Sequence, residues 1–197
     1  MKYNIGIFGS AVEESKKIMA TARLLGKILG NHDHSIRLLF GACPGVPYEV
    51  AAAAQAASSV EIIGFSSETS REAQLSYSPK DNLSMYTSIR FVPKGFEFSA
   101  NSDVRKKYRN VLLTASVDAG IVVSGRWGSL NEFTDLYDMG KVIGVLTGTG
   151  GVADELPSLS KKIHKPSKAV VLFDSSPEQL VKRIIEELKR RTLPKSS

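Results

Sequence analysis

The stretch GIVVSGRWGSLNEF, Gly120 to Phe133, decides the fold. It opens with an apolar run, turns on Gly125 and Gly128, and continues into a helix-forming segment. An almost wholly apolar strand of this kind fits a strand buried on both faces, and the glycine turn leads it straight into a helix. The same order recurs along the chain. Short runs rich in Val, Ile and Leu read as strands at Tyr3–Phe8, Ile36–Phe40, Glu61–Phe65, Ile89–Val92, Ala119–Val123, Val142–Leu146 and Ala169–Phe173. Helical spacing appears at Glu13–Leu29, Glu49–Ala57, Val104–Ser116, Leu130–Met139 and Pro177–Arg190. The alternation predicts an α/β fold: a doubly wound, mostly parallel Rossmann-like sheet with helices on both faces. The last helix has the plainest start, with Ser176 as N-cap, Pro177 in the first position and Gln179 completing a capping box.

The whole chain sets the bounds. Its 197 residues suit one domain, residues 1–197, with a sizeable core. Within it, residues 66–94 are rich in Ser, Tyr and Asn, have weak periodicity and read as an insertion or lid loop; residues 192–197 read as a tail. No run approaches the length of a membrane span, and Met1-Lys2 leads directly into a strand rather than a signal peptide, so a cytoplasmic protein without membrane contact is expected. The single cysteine, Cys43, excludes an internal disulfide framework and a thiol zinc site. His32 and His34 lack a third ligand and read as loop residues, so no metal is expected. The net charge of +6 suits an anionic partner. Part of that charge lies in KKIHK, Lys161 to Lys165, and in the tail KRRTLPKSS, both read as solvated surface. The run Arg105, Lys106, Lys107 and Arg109 is spread around a helix, which disfavours nucleic acid as the partner.

Four glycine-containing turns follow four of the strands: Gly9–Ala11, Gly41–Pro47, Ser124–Leu130 and Thr147–Gly151. In a doubly wound sheet they share the carboxyl edge, where ligands bind at the switch in strand order. Three of the four lead into an expected helix, whose first amides suit a phosphate. The candidate phosphate-binding residues are therefore Gly9, Ser10, Ala11, Gly41, Gly45, Gly125, Arg126, Trp127, Gly128, Ser129, Thr147 and Gly148. There is no G-x-G-x-x-G after the first strand and no G-x-x-x-x-G-K-[ST], which disfavours NAD and excludes a P-loop enzyme.

The segment YRNVLLTASVDAGIVVSGRWGSLNEFTDLYDMGKVIGVL, Tyr108 to Leu146, resembles the LONELY GUY family and its wider SLOG superfamily of Rossmann-like proteins. These carry P-G-G-x-G-T-x-x-E after a strand and an arginine on the preceding helix. Here the pattern becomes Ser124, Gly125, Arg126, Trp127, Gly128, Ser129, Leu130, Asn131 and Glu132, with Arg109 upstream. GACPGVPYEVAAAA resembles the family's other glycine-rich turn, and the likeness spans Ile5 to about Leu146. The lysine-decarboxylase label that many relatives carry has no support, since no lysine here sits in a pyridoxal phosphate context. The resemblance implies a nucleoside 5′-monophosphate phosphoribohydrolase, with Arg109 and Glu132 as catalytic residues and no required cofactor. It also implies a homo-oligomer, dimer or tetramer. Relatives of the molybdenum cofactor carrier type imply the alternative of a carrier for a phosphorylated ligand such as a molybdopterin. A DNA-processing family of the same superfold implies, with less support, a single-stranded nucleic acid binder. Arg126 in place of the motif's second glycine is expected either to strain the backbone or to alter the loop. Its guanidinium then adds a contact to the phosphate or occupies the site and pairs with Glu132. Trp127 is expected to stack on a ligand ring or to pack in a core or interface.

Overall fold

The structure, a computed structural model, describes residues 2–163 and 165–193. His164 of the KKIHK run and the end of the tail, residues 194–197, lie outside the described residues. Seven strands form one sheet: β1 (Tyr3–Gly9), β2 (Ile36–Gly41), β3 (Glu61–Phe65), β4 (Ser88–Arg90), β5 (Ala119–Val123), β6 (Val142–Leu146) and β7 (Val170–Asp174). They run in the order β4-β3-β2-β1-β5-β6-β7, and every pairing is parallel. The chain moves outward from β1 to β4 and then returns to the other side of β1 for β5. The order therefore reverses between β1 and β5, whose ends meet at Gly9 opposite Val123. A crevice opens at the carboxyl edge of such a reversal because the connections on its two sides leave toward opposite faces.

The helices are α1 (Lys16–Gly30), α2 (Val46–Ala57), α3 (Arg71–Tyr77), α4 (Ser102–Ser116), α5 (Trp127–Asp138), α6 (Gly151–Lys162) and α7 (Pro177–Thr192). One face of the sheet is covered by α1, α2 and α7, with Leu25, Val50, Ile184 and their neighbours packed on Ile5, Leu38, Phe40 and Ile121. The other is covered by α4, α5 and α6, with Leu113, Leu136 and Leu156 packed on Phe8, Val122 and Val145. Each central strand is buried on both faces, which is why β5 and β6 read as unbroken apolar runs. No helix among the described residues is long and apolar enough to cross a membrane.

Three departures from the expected elements bear on the site. First, α2 and α5 each begin three residues earlier than helical spacing suggests, so Gly128 and Ser129 lie inside α5 and Arg126 is its N-cap. Second, the fourth glycine turn also leads into a helix, α6. Pro157 lies within it and argues against a helix in sequence, but burial of Ala153 and Leu156 on the sheet outweighs that penalty.

Third, residues 66–94 hold α3, a 3₁₀ turn at Leu83–Met85 and the edge strand β4. A buried polar network pins this segment. Ser66 Oγ donates to Gln74 Oε1 (2.5 Å), and Gln74 Nε2 donates to Ala42 O (3.0 Å) and Asp81 Oδ2 (2.9 Å). Tyr86 OH donates to Asp81 Oδ1 (2.9 Å). Arg105 closes the outer side, bonding Ser67 O, Ser99 O and the Glu68 carboxylate. No residue of the segment lines the crevice described below.

The tightest helix contact is α1 on α2. A Cβ on Gly26 would stand 2.2 Å from Val50 O and 2.8 Å from Ala53 Cβ, so the two backbones approach only because that position has no side chain. Gly26→Ala forces backbone apart from backbone and is expected to lower the unfolding free energy by about 1–3 kcal/mol. A denaturant midpoint equal to or above that of the parent would overturn this account of the α1–α2 contact.

Candidate functional site

The crevice between β1 and β5 is a cleft of about 330 Å³. It is walled by the ends of β1 and β2, by α4 and by the start of α5. Of the residues expected at the site, it brings together Gly9, Ser10, Ala11, Gly41, Arg109, Arg126, Gly128, Ser129 and Glu132. Gly45, Gly125, Trp127, Thr147 and Gly148 do not line it.

The third turn shapes the cleft through backbone conformation. Ser124 has φ 52° and Gly125 φ 100°, so two consecutive residues lie in the left-handed region. Their carbonyls point away from the crevice and accept from the start of α6: Ala153 N–H donates to Ser124 O (3.1 Å) and Val152 N–H to Gly125 O (2.9 Å). Ser124 is a costly residue at such a φ, and it is held there from several sides. Its N–H donates to Thr149 Oγ1 (2.8 Å), which itself donates to Leu146 O (2.6 Å), and its Oγ lies 3.2 Å from Glu14 Oε1. Arg126 carries no such strain, since its backbone is extended at φ −129° and ψ −157°. The expected conflict at the arginine is therefore borne one residue earlier and two residues earlier, by Gly125 and Ser124.

The helix that follows has free donors. Helices α1, α3, α4 and α7 have their first amides capped by Ser15, Ser70, Asn101 and Ser176, whereas α5 and α2 begin at Arg126 and Gly45 with no side-chain cap. At α5 the first-turn N–H groups and the positive end of the helix dipole face the cleft, a combination that favours an anion. Gly128 and Ser129 line the cleft, and a Cβ on Gly128 would meet nothing within 4 Å. The fourth turn differs: Asp154 accepts from Gly148 N–H and from Gly150 N–H (2.6 and 2.9 Å). Its donors are taken by the chain's own carboxylate, and through Thr149 the turn braces the third one.

Arg109 lies along the floor of the cleft. A Cβ on Gly41 would fall 1.4 Å from Arg109 Nη1, so the guanidinium rests directly against the Gly41 backbone. Cys43 adjoins it; burial pushes the Cys43 thiol up from its ordinary value, and the hydrogen bond and charge of Arg109 pull against that. Glu132 stands one helical turn beyond Gly128 on the same face of α5 and is only 7% exposed. Burial pushes its carboxyl from the ordinary 4.5 up to about 7; Arg109 pulls against that, the Asp135 charge adds to it, and Lys107 opposes it last. Arg126 is not among the charges acting on it. The Asn110 amide is satisfied with its nitrogen donating to Glu132 Oε1 (3.2 Å) and to Lys106 O (3.1 Å).

The sequence reading missed several of these groups. Asp103, Lys106 and Asn110 recur at i, i+3 and i+7 on α4, so the helical face that carries Arg109 was the available signal. Lys106 pairs with Asp103 (3.1 Å), and Lys107 reaches across to Asn131 Oδ1 (3.0 Å). Cys43 offered no signal in spacing. Trp127 is 83% exposed and lines a separate hollow between α5 and α6, which Arg126 shares.

The sequence pattern of the SLOG cluster4 family matches residues 2–181. The chain belongs to that family. The likeness read from the third turn and the helix before it therefore holds at the level of the SLOG superfamily. None of the curated proteins matches in sequence. Among solved structures, TM1055 overlays with a TM-score of 0.73 at 18% identity, covering 95% of this chain and 99% of that one. The molybdenum cofactor binding protein from the phototrophic bacterium Rippkaea orientalis gives 0.67 at 18% identity, covering 95% and 98%. DNA processing protein A from Helicobacter pylori gives 0.63 at 16% identity, covering 94% and 81%. At such identities these likenesses show the shared Rossmann-like architecture alone.

Two measurements test the site's construction. Proline, the family's residue at position 124, has φ fixed near −65° and no N–H, so Ser124→Pro is expected to destabilise the chain by about 3 kcal/mol or more. Retained stability in that variant would remove the left-handed turn as a constraint. The second concerns pH. A carboxyl that holds its proton up to about pH 7 when folded, against 4.5 ordinarily, favours folding fully below pH 4.5, and this contribution is lost as pH rises to about 7. The loss is on the order of 3 kcal/mol. Glu132→Gln has no such proton, so unfolding curves across that window should show the parent losing stability relative to the variant; parallel pH profiles would contradict the burial of Glu132.

Proposed function

We propose that the chain binds a nucleoside 5′-monophosphate in the β1–β5 cleft and hydrolyses its N-glycosidic bond, releasing the free base and ribose 5-phosphate. The observation that carries this reading is Glu132, a buried carboxyl near neutrality one helical turn from uncapped amides at the start of α5. A phosphate on the Gly128 and Ser129 amides, with Lys106 and Arg126 at the rim, leaves the ribose alongside α5. One turn of helix is about 5.4 Å, a reach that sets the sugar against the Glu132 carboxyl.

The chemistry follows from that placement. As the bond from C1′ to the base breaks, positive charge develops on the sugar, and an ionised Glu132 stabilises it. The same carboxylate takes a proton from the water that adds to C1′, and the base, which leaves with the electron pair of the broken bond, takes up a proton from solvent. A group that titrates near 7 is poised for this exchange at ordinary pH. Arg109, fixed on Gly41, donates hydrogen bonds to the departing base or to the phosphate as a planar fork. Asn110 holds one carboxyl oxygen and so keeps the other available to the sugar.

A second reading, a carrier for a phosphorylated ligand, uses the same amides and cations without the chemistry. It draws support from a solved neighbour described as a molybdenum cofactor binding protein, since a pterin phosphate would suit the α5 amides equally. A single-stranded nucleic acid binder has less support; its affinity would fall steeply with salt.

The test is base release from a panel of nucleoside monophosphates, followed by chromatography, with binding measured in parallel by calorimetry. The parent should release base, Glu132→Gln should not while keeping nucleotide affinity, and Gly128→Ala should fold normally but bind about tenfold more weakly, because its methyl meets no atom of the chain at a position that lines the cleft. Binding without release, or a co-purifying pterin, would favour the carrier; no mononucleotide binding would sink the hydrolase, and with no co-purifying pterin either it would sink the carrier as well.

A further inference from the structure

Residues 66–94 stay outside the cleft, but the polar network buried in them ends on Ala42, a residue between two that line it. The chain after β2 alternates: Gly41 and Cys43 face the cleft, and Ala42 between them is turned into the core. Arg109 is seated on the two that face the cleft. Its Nη1 occupies the place a Gly41 Cβ would take, and its guanidinium donates to the Cys43 sulfur. Ala42 is held on the opposite side. Its N–H donates to Phe65 O (2.9 Å), and its carbonyl accepts from Gln74 Nε2 (3.0 Å). Both backbone groups of Ala42 are thus committed behind the floor, and they set the angle of the seat in front of it.

Gln74 has no freedom to turn. Its oxygen accepts from Ser66 Oγ, and its amide nitrogen also donates to Asp81 Oδ2 (2.9 Å), whose other oxygen accepts from Tyr86 OH (2.9 Å). A flipped amide would set its oxygen against the Ala42 carbonyl and the Asp81 carboxylate, so only one orientation is satisfied. Tyr86 is fixed in turn: its ring stacks on Phe40 of β2, with centroids 5.5 Å apart, and lies against Gly64. Apolar side chains would suffice to cover this end of the sheet. A fully buried amide costs desolvation, and its directed bonds specify a single arrangement that apolar packing does not. What these bonds specify is the angle of the Ala42 peptide, and with it the seat of Arg109.

We infer that Gln74, oriented by Ser66 and Asp81, is a positioning residue of the cleft: by holding the Ala42 carbonyl behind the floor, it holds the Arg109 guanidinium in front of it. Residues 66–94 are on this account a support for the floor, where a lid was expected. What Arg109 is aimed at rests on the function proposed above; how it is held does not.

Cys43 is the only cysteine in the chain, so its alkylation by iodoacetamide reads the floor without any ligand. Burial pushes the thiol up most strongly, Arg109 pulls it down, and Glu132 and Asp81 add to the push. The pH midpoint of alkylation therefore rises when Arg109 leaves Cys43, and falls when the turn merely loosens and admits water. Gln74→Met keeps the bulk of the side chain and removes its bonds, so the midpoint should rise. In an Arg109→Ala background, where the midpoint is already raised, Gln74→Met should move it no further. A midpoint that stays or falls in Gln74→Met, or a rise that persists without Arg109, would overturn the inference. Should Gln74→Met fail to fold by circular dichroism, Ser66→Ala, which frees the Gln74 oxygen, decides by the same outcomes. Calorimetry with a nucleoside monophosphate supplies a second arm. Gln74→Met should weaken binding about tenfold in the otherwise unchanged chain and leave it unaltered in the Arg109→Ala background. Additive losses there would likewise overturn the inference. A parent chain that binds no mononucleotide removes the proposed hydrolase, and the alkylation cycle alone then decides how Arg109 is held.

Discussion

The site depends on the direction in which the peptide planes face after β5. Ser124 and Gly125 occupy the left-handed region in succession, and this rotates their carbonyls out of the crevice and onto the first amides of α6. Had the chain continued extended, those oxygens would border the crevice and repel any anion. With them removed, the backbone groups that α5 brings to the crevice are its first amides. The strain of a left-handed serine is offset by Thr149 on its N–H, Ala153 on its carbonyl and Glu14 beside its hydroxyl. The fourth glycine turn thus serves the third: its own amides are closed by Asp154, and its threonine fixes the residue that gives the cleft its sign.

Electrostatics in the cleft is a contest between desolvation and cations. Burial drives Glu132 toward its neutral form, Arg109 and Lys107 draw it toward the charged one, and burial wins, so the carboxyl titrates at about 7 rather than 4.5. A phosphate held at the α5 amides adds negative charge close to that carboxyl. By linkage, anion and proton then favour each other's binding at this site. Asn110, which donates to the carboxylate, limits how far the balance can move toward the neutral acid.

The sheet was legible because buried strands leave apolar runs: β5 and β6 are unbroken, and β1, β2, β3 and β7 are apolar but for Asn4, Arg37, Glu61 and Asp174, and their spacing implies the crossovers. The switch point followed from topology, and with it the grouping of Gly9, Gly41, Gly128 and Glu132. What escaped reading depends on contacts distant in sequence. Gln74 is buried because Ala42 and Asp81 meet it in space, and nothing near Gln74 announces this in a segment rich in serine and tyrosine. Helix α6 is carried by tertiary burial despite Pro157. The early starts of α2 and α5 were hidden because glycine and proline read as loop while also being suited to a helix's first turn.

Arg126 shows why a motif aligned by residue type can mislead about conformation. Glycine at the second position of the family pattern suggests a backbone that only glycine adopts with ease, and arginine there suggests strain. In this chain the left-handed pair lies at positions 124 and 125, so position 126 is free to be extended and to carry any side chain. The family's proline is excluded at 124 for the same reason, because φ 52° lies beyond its ring's range. The turn's left-handed residues at 124 and 125 thus leave position 126 open to arginine and close position 124 to proline. The guanidinium this admits stands at the corner between the polar cleft and the apolar hollow between α5 and α6, and it belongs to both.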